Sequence, residues 1–163
     1  MLMYELFEAR DAPLYHGTAF YNATRILATN TFDARTTQSS GSAFVLNADE
    51  ALRGVSMSRD PRFARTFGPV VFVLDQTKLR HNYKIMPIDY WGHSNEISMG
   101  PESQKKKGKY AEAEEFVVGS ITKADRYILS INVDSKFLKS YQQAVTDTNQ
   151  LSILLDHPLL NMV

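Results

Sequence analysis

The sequence predicts an α+β domain, with strands early in the chain, helices between some of them, and helices at the end. Three features lead there. Val70–Leu74 and Phe116–Val118 are short, continuous apolar runs, the pattern of strands covered on both faces. Asp60-Pro61 reads as a helix start: an oxygen-bearing cap, then a proline whose missing N–H costs nothing at the first helical position. From Ser135 onward the chain reads as helix, with a break near residues 147–149. At 163 residues, 44% hydrophobic and 22% charged, residues 1–163 form one domain with enough apolar mass for a core.

Taken in order, Tyr4–Phe7 is a candidate short strand and Leu14–His16 an extended run after Pro13. Thr18 is placed to cap a helix whose Phe20, Ala23, Ile26 and Leu27 share one face. Residues 36–42 (TTQSSGS) are loop by composition, Phe44–Leu46 a candidate strand, and Asp49–Leu52 a helical turn. Gly54–Ser58 is a strand. The helix opened by Asp60 should turn Phe63, Ala64 and Phe67 inward and stop at Gly68-Pro69. Val70–Leu74 ends at Asp75, and Gln76–Leu79 is one helical turn. Residues 87–111 form a long polar loop that holds Tyr90, Trp91, His93 and a lysine run from Lys105 to Lys109. Arg126–Val133 alternates, with Tyr127, Leu129, Ile131 and Val133 on one face and Ile128, Ser130 and Asn132 on the other. His157-Pro158 closes the last helix.

Composition narrows the function classes. Formal net charge is zero, so no global field draws the chain to nucleic acid or an anionic membrane. No cysteine is present, which removes disulfides, thiolate metal sites and a cysteine nucleophile and fits a reducing, cytoplasmic setting. No leader-like or membrane-spanning apolar run is seen. The histidines are scattered without metal-ligand spacing, and neither glycine-rich phosphate loop nor nucleophile elbow occurs. A metal cofactor is not expected.

Three local patterns carry chemistry. In Leu14-Tyr15-His16-Gly17-Thr18 a histidine ends a strand and glycine lets another group approach the backbone closely. A tight strand-to-helix turn is the ordinary explanation. In Gly54-Val55-Ser56-Met57-Ser58 two hydroxyls fall on one strand face, as they also would on a plain edge strand. In Glu114-Glu115-Phe116-Val117-Val118 acids run into an apolar strand; one glutamate shares a face with Val117, the other with Phe116 and Val118. A carboxylate at a rigid strand mouth can bond a sugar hydroxyl and stabilise developing positive charge. A solvated strand start is the alternative.

In this order the three resemble the motifs of the ADP-ribosyltransferase superfamily, which includes diphtheria-toxin-like enzymes, poly-ADP-ribose polymerases and cholera-toxin-like enzymes. "LYHGT" is similar to its His-Gly-Ser/Thr motif, "GVSMSRDPRFARTFG" to its second strand and helix, and "EEFVV" to its catalytic glutamate before three apolar residues. The likeness spans roughly residues 12–121. It implies an ADP-ribosyltransferase-like fold of split, mixed and antiparallel sheets. It also implies a small bacterial or phage mono-ADP-ribosyltransferase that consumes NAD as substrate and modifies a macromolecule, protein rather than nucleic acid. Neither membrane nor second copy is implied.

By residue, the resemblance gives His16 the ribose hydroxyls, Gly17 the nicotinamide carboxamide, and Thr18 support of the turn. Glu115 bonds the nicotinamide-ribose 2'-hydroxyl. Ser56 and Ser58 form the second-motif strand, with Ser56 where a tyrosine is usual; Phe63 or Phe67 supplies an aromatic surface in its place. Arg59, nearest the strand end among Arg59, Arg62 and Arg65, clamps the pyrophosphate. In a second register Glu114 is the catalytic acid, and Glu112 completes a Glu-x-Glu pair. NAD hydrolysis, and a module that holds NAD, ADP-ribose or a protein without catalysis, are the competing functions.

Overall fold

The computed structural model describes residues 12–36, 53–87, 114–144 and 148–163. In chain order the first half holds β1 (Leu14–Thr18), α1 (Phe20–Thr29), β2 (Thr31–Phe32), β3 (Arg35–Thr36), β4 (Arg53–Ser58), α2 (Pro61–Ala64) with a 3-10 turn at Arg65–Phe67, and β5 (Val70–Leu74). Then come α3 (Gln76–Asn82), β6 (Ile85–Pro87), β7 (Glu114–Val118), β8 (Ile121–Thr122), a 3-10 turn at Ala124–Arg126, β9 (Ile128–Val133), α4 (Ser135–Ala144), α5 (Thr148–Leu155) and β10 (Leu160–Met162). The main sheet runs β10-β9-β5-β1-β4-β7-β6, with β3 also on β4, and β2 pairs with β8 in a small second sheet. Among the described residues only the β10–β9 contact is parallel, so the main sheet is mixed.

Register sorts the side chains. Leu14, His16 and Thr18 stand opposite Leu74, Phe72 and Val70, which in turn stand opposite Ile128, Ile131 and Val133. Opposed residues share a face. This face, extended by Val55, Met57 and Val117, carries the core. Phe20, Ala23 and Ile26 of α1, together with Phe32, Leu79, Ile121 and Leu154, complete it. Phe32, Phe72, Leu14, Leu74 and Ile131 are at most 1% exposed, each side chain contributing about 1.5–3 kcal/mol by leaving water. On the opposite face α2 lies against β1: a Cβ on Gly17 would collide with the Ala64 carbonyl. Glycine at 17 is thus required by helix packing.

Local chemistry sets several element ends. Asp60 caps α2 by accepting from the Arg62 N–H at 2.8 Å, with Pro61 leading the helix. Asp75 caps α3 by accepting from Lys78 N–H at 3.0 Å. Asn30 closes α1 in the left-handed region (φ 51°). Its side chain donates to Asp125 at 2.7 Å and accepts from the Asp125 N–H at 2.8 Å, which ties α1 to the second 3-10 turn.

Some expectations change. Ala19, not Thr18, precedes α1, and no side chain caps it; Thr18 is the last residue of β1, buried among strands. Of the residues expected inward from α2, Ala64 is buried but Phe67 is 44% exposed, because the helix tightens into a 3-10 turn after one turn. The helix at Gln76 continues to Asn82. A register shift between Val73 and Leu74 breaks the alternation of β9, so Ile128 is buried with Ile131 and Val133, and Leu129 is exposed. The C-terminal part is not all helical: after Pro158 the chain adds β10 beside β9. Tyr4–Phe7, Phe44–Leu46, Asp49–Leu52 and the lysine run lie outside the described residues.

Candidate functional site

β1 has two unequal neighbours. Five consecutive residue pairs join it to β5, but only Tyr15↔Ser58 joins it to β4. His16 occupies the place where the next rung would form: its Nδ1 lies 2.9 Å from the Ser56 carbonyl oxygen. A carbonyl can only accept, so Nδ1 bears the hydrogen. Burial lowers the pKa of His16; the Ser56 carbonyl opposes this and the positive charge of Arg35 adds to it. The ring is therefore neutral at pH 7, and Nε2 carries a lone pair, able to accept from a hydroxyl. The imidazole meets Phe32 edge-on at 5.3 Å, and Phe32 meets Phe72 the same way at 5.2 Å.

Strand alternation also fixes where the backbone groups point. The Ser56 carbonyl points toward β1, since His16 bonds it, and the backbone groups of Ser58 point the same way. Tyr15, opposite Ser58, therefore turns its own groups toward β4. Two residues on, Gly17 turns its N–H and C=O toward that side as well, where the ladder has stopped.

Glu115 lies opposite Met57 on one side and Pro87 on the other. It therefore shares a face with Met57, Val117 and His16. Glu115 is 3% exposed. Its carboxylate oxygen Oε1 is 3.0 Å from Arg59 Nε, and Oε2 is buried with no hydrogen-bond partner. Burial raises the Glu115 pKa, opposed by the positive charges of Arg59 and, on α3, Arg80.

The expected site residues thus fall into two sets. His16, Thr18, Arg59 and Glu115 lie toward the core face; Gly17, Ser56, Ser58 and Phe63 belong with α2 on the other. The sets adjoin along the β1–β4 junction. By register, Ser56 and Ser58 stand on the face opposite that of Glu115 and His16. Ser56 gives His16 its carbonyl, not its hydroxyl. The Ser58 hydroxyl donates to the Asp60 carbonyl at 3.0 Å and accepts from the Asp60 N–H at 2.9 Å, so it shapes the turn into α2. Phe63 and Phe67 contact each other edge-on at 5.3 Å, with Phe67 partly in solvent. Of the second-register acids, Glu112 lies outside the described residues. Arg35, Arg80 and Phe32 act on the site without a sequence signal, since each reaches it only through folding.

Among the described residues, no three or more His, Asp or Glu side chains gather to hold a metal ion, and no helix is long and apolar enough to cross a membrane. No family model, curated protein or solved structure matches the chain.

Proposed function

We propose that this protein has an ADP-ribosyltransferase-like fold and transfers ADP-ribose from NAD to a macromolecular acceptor, releasing nicotinamide. The observation that carries the reading is Glu115, a buried carboxylate with one unpartnered oxygen at the start of an apolar strand, on the same face as a neutral His16. Such a group is costly unless a ligand uses it. The interrupted β1–β4 ladder supports a split sheet around that ligand.

In this reading Glu115 Oε2 accepts from the nicotinamide-ribose 2'-hydroxyl and its charge stabilises the oxocarbenium-like transition state. The bond between ribose C1' and the nicotinamide nitrogen breaks, and its electron pair leaves with neutral nicotinamide. The acceptor's nucleophilic atom then bonds C1' and gives up its proton. His16 Nε2 accepts from a second sugar hydroxyl, and the backbone groups of Gly17 that turn toward the β4 side pair with the carboxamide. The acceptor is a protein surface rather than nucleic acid, in keeping with zero net charge, and the reaction takes place in a reducing cell interior.

Ser56 favours a second reading, a module that holds NAD or ADP-ribose without turnover, because no aromatic ring stands at that strand position to stack on nicotinamide. Labelled NAD incubated with the purified protein and a cell lysate separates them. Transfer predicts label on protein and free nicotinamide in equal amounts. Hydrolysis gives nicotinamide and free ADP-ribose, whereas a module retains NAD intact.

A further inference from the structure

A buried ion pair is stabilising only when its remaining N–H groups and lone pairs are satisfied. The Arg59–Glu115 contact falls short of that. Arg59 Nε and Glu115 Oε1 are 3.0 Å apart, yet neither Nε nor Oε2 has a hydrogen-bond partner, and both atoms are buried. Among the described residues this contact is the one polar interaction of the Arg59 side chain. The Glu115 side chain is 4% exposed, whereas that of Arg59 is 31% exposed. With Nε inside, the terminal amino groups are the polar end of Arg59 left toward the surface. Arg62, the neighbouring cation, is already committed: it grips Asp60 through Nε at 3.1 Å and a terminal nitrogen at 2.9 Å.

We propose that Arg59 is a bridge between a phosphate-bearing ligand and Glu115, with its terminal amino edge pairing two oxygens of a pyrophosphate while its Nε edge faces the carboxylate. The guanidinium is suited to this because its planar fork matches phosphate oxygens and its charge is shared over both edges. Identifying the anion with the pyrophosphate of NAD rests on the function proposed above; the bridge itself does not require turnover. Arg59 is then a positioning residue that couples anion occupancy to the charge of the acid. The charged groups acting on Glu115 are Arg59 from the β4–α2 turn and Arg80 from α3. An anion seated on Arg59 claims part of its charge and adds a negative one nearby. The pKa of Glu115 rises: near that pKa the protein takes up protons as the anion binds, and above it the carboxylate keeps the charge that the transition state uses.

Calorimetric titration of the full chain with inorganic pyrophosphate, in two buffers of different ionisation enthalpy, tests this. Saturable binding with net proton uptake is expected. R59Q should weaken binding by about tenfold to hundredfold, the range of a charge-assisted hydrogen bond; R59K should recover part of it, since lysine supplies charge without the fork. E115Q should bind pyrophosphate as well or better, with the proton uptake gone. If R59Q does not fold, R59K alone carries the comparison. Absent binding, equal binding by the arginine variants, or undiminished proton uptake in E115Q would overturn the bridge. Arg59-dependent pyrophosphate binding without nicotinamide release removes the transferase reading and leaves the bridge. Nicotinamide release without Arg59-dependent pyrophosphate binding does the reverse.

Discussion

The two sides of β1 are built differently. Toward β5 the ladder is continuous, and its core-facing pairs Leu14↔Leu74, His16↔Phe72 and Thr18↔Val70 bring mainly hydrocarbon together. Toward β4 one pair forms, an imidazole takes the next acceptor, and a buried carboxylate sits one strand farther on. The first side gains stability from burial. The second gives up ladder bonds and buries polar atoms without partners, which costs stability and leaves groups able to meet a ligand. A fold can carry the second because the first is so completely packed.

The contrast can be broken from the packed side first. Phe72→Ala removes a fully buried ring and should cost about 3–5 kcal/mol in urea denaturation. A loss below 1 kcal/mol would mean the β5 side is not the stabilising one. Gly17→Ala probes the packing of α2 on β1. Its methyl would enter the space of the Ala64 carbonyl, and about 1–3 kcal/mol of stability should be lost as the helix shifts. At His16 the expected effects are smaller. His16→Asn keeps a donor near the Nδ1 position, whereas His16→Ala leaves the Ser56 carbonyl unmet; the two should differ by about 1 kcal/mol in thermal or urea unfolding.

The finest distinction is in pH. His16 has a folded pKa below its ordinary 6.5, so its share of stability is present above pH 6.5 and is lost as pH falls through the folded value. Glu115 has a folded pKa above its ordinary 4.5, so its share is full below pH 4.5 and is lost as pH rises through the folded value. The two slopes oppose each other between those values. His16→Asn should remove the acid-side loss, and Glu115→Gln should remove the loss on raising pH; stability curves of both variants from pH 4 to 8 check this. Unchanged curves would place both groups in solvent-like surroundings.

Much of the frame was legible because it depends on local pattern. The apolar runs at Val70 and Phe116, the Asp60-Pro61 start and the inward face of α1 emerge where expected. The elements of two or three residues, β2, β3, β6, β8 and β10, were not legible, since each owes its form to a partner distant in sequence. The reversal at Leu129 follows from a bulge opposite β5, which alternation cannot anticipate. At the site, His16 and Glu115 could be named from their neighbours, and alternation limited Glu115 to one of two faces; only its register with Met57 chose between them. The same register sets Ser56 and Ser58 on the other face, which the shared face of the two serines could not decide. Arg59 was visible as a cation near a strand end, but its pairing with Glu115 depends on β4 and β7 lying side by side.

The role of Glu115 is tested most directly by nicotinamide release from NAD, measured side by side for wild-type protein and Glu115→Gln. Steady release by the wild type is expected, with a decrease of about a hundredfold to a thousandfold in the variant, the usual consequence of losing one preorganised electrostatic group, while the variant melts no lower than the wild type. Equal release by the two proteins, or none from the wild type with acceptor-containing lysate present, would contradict it.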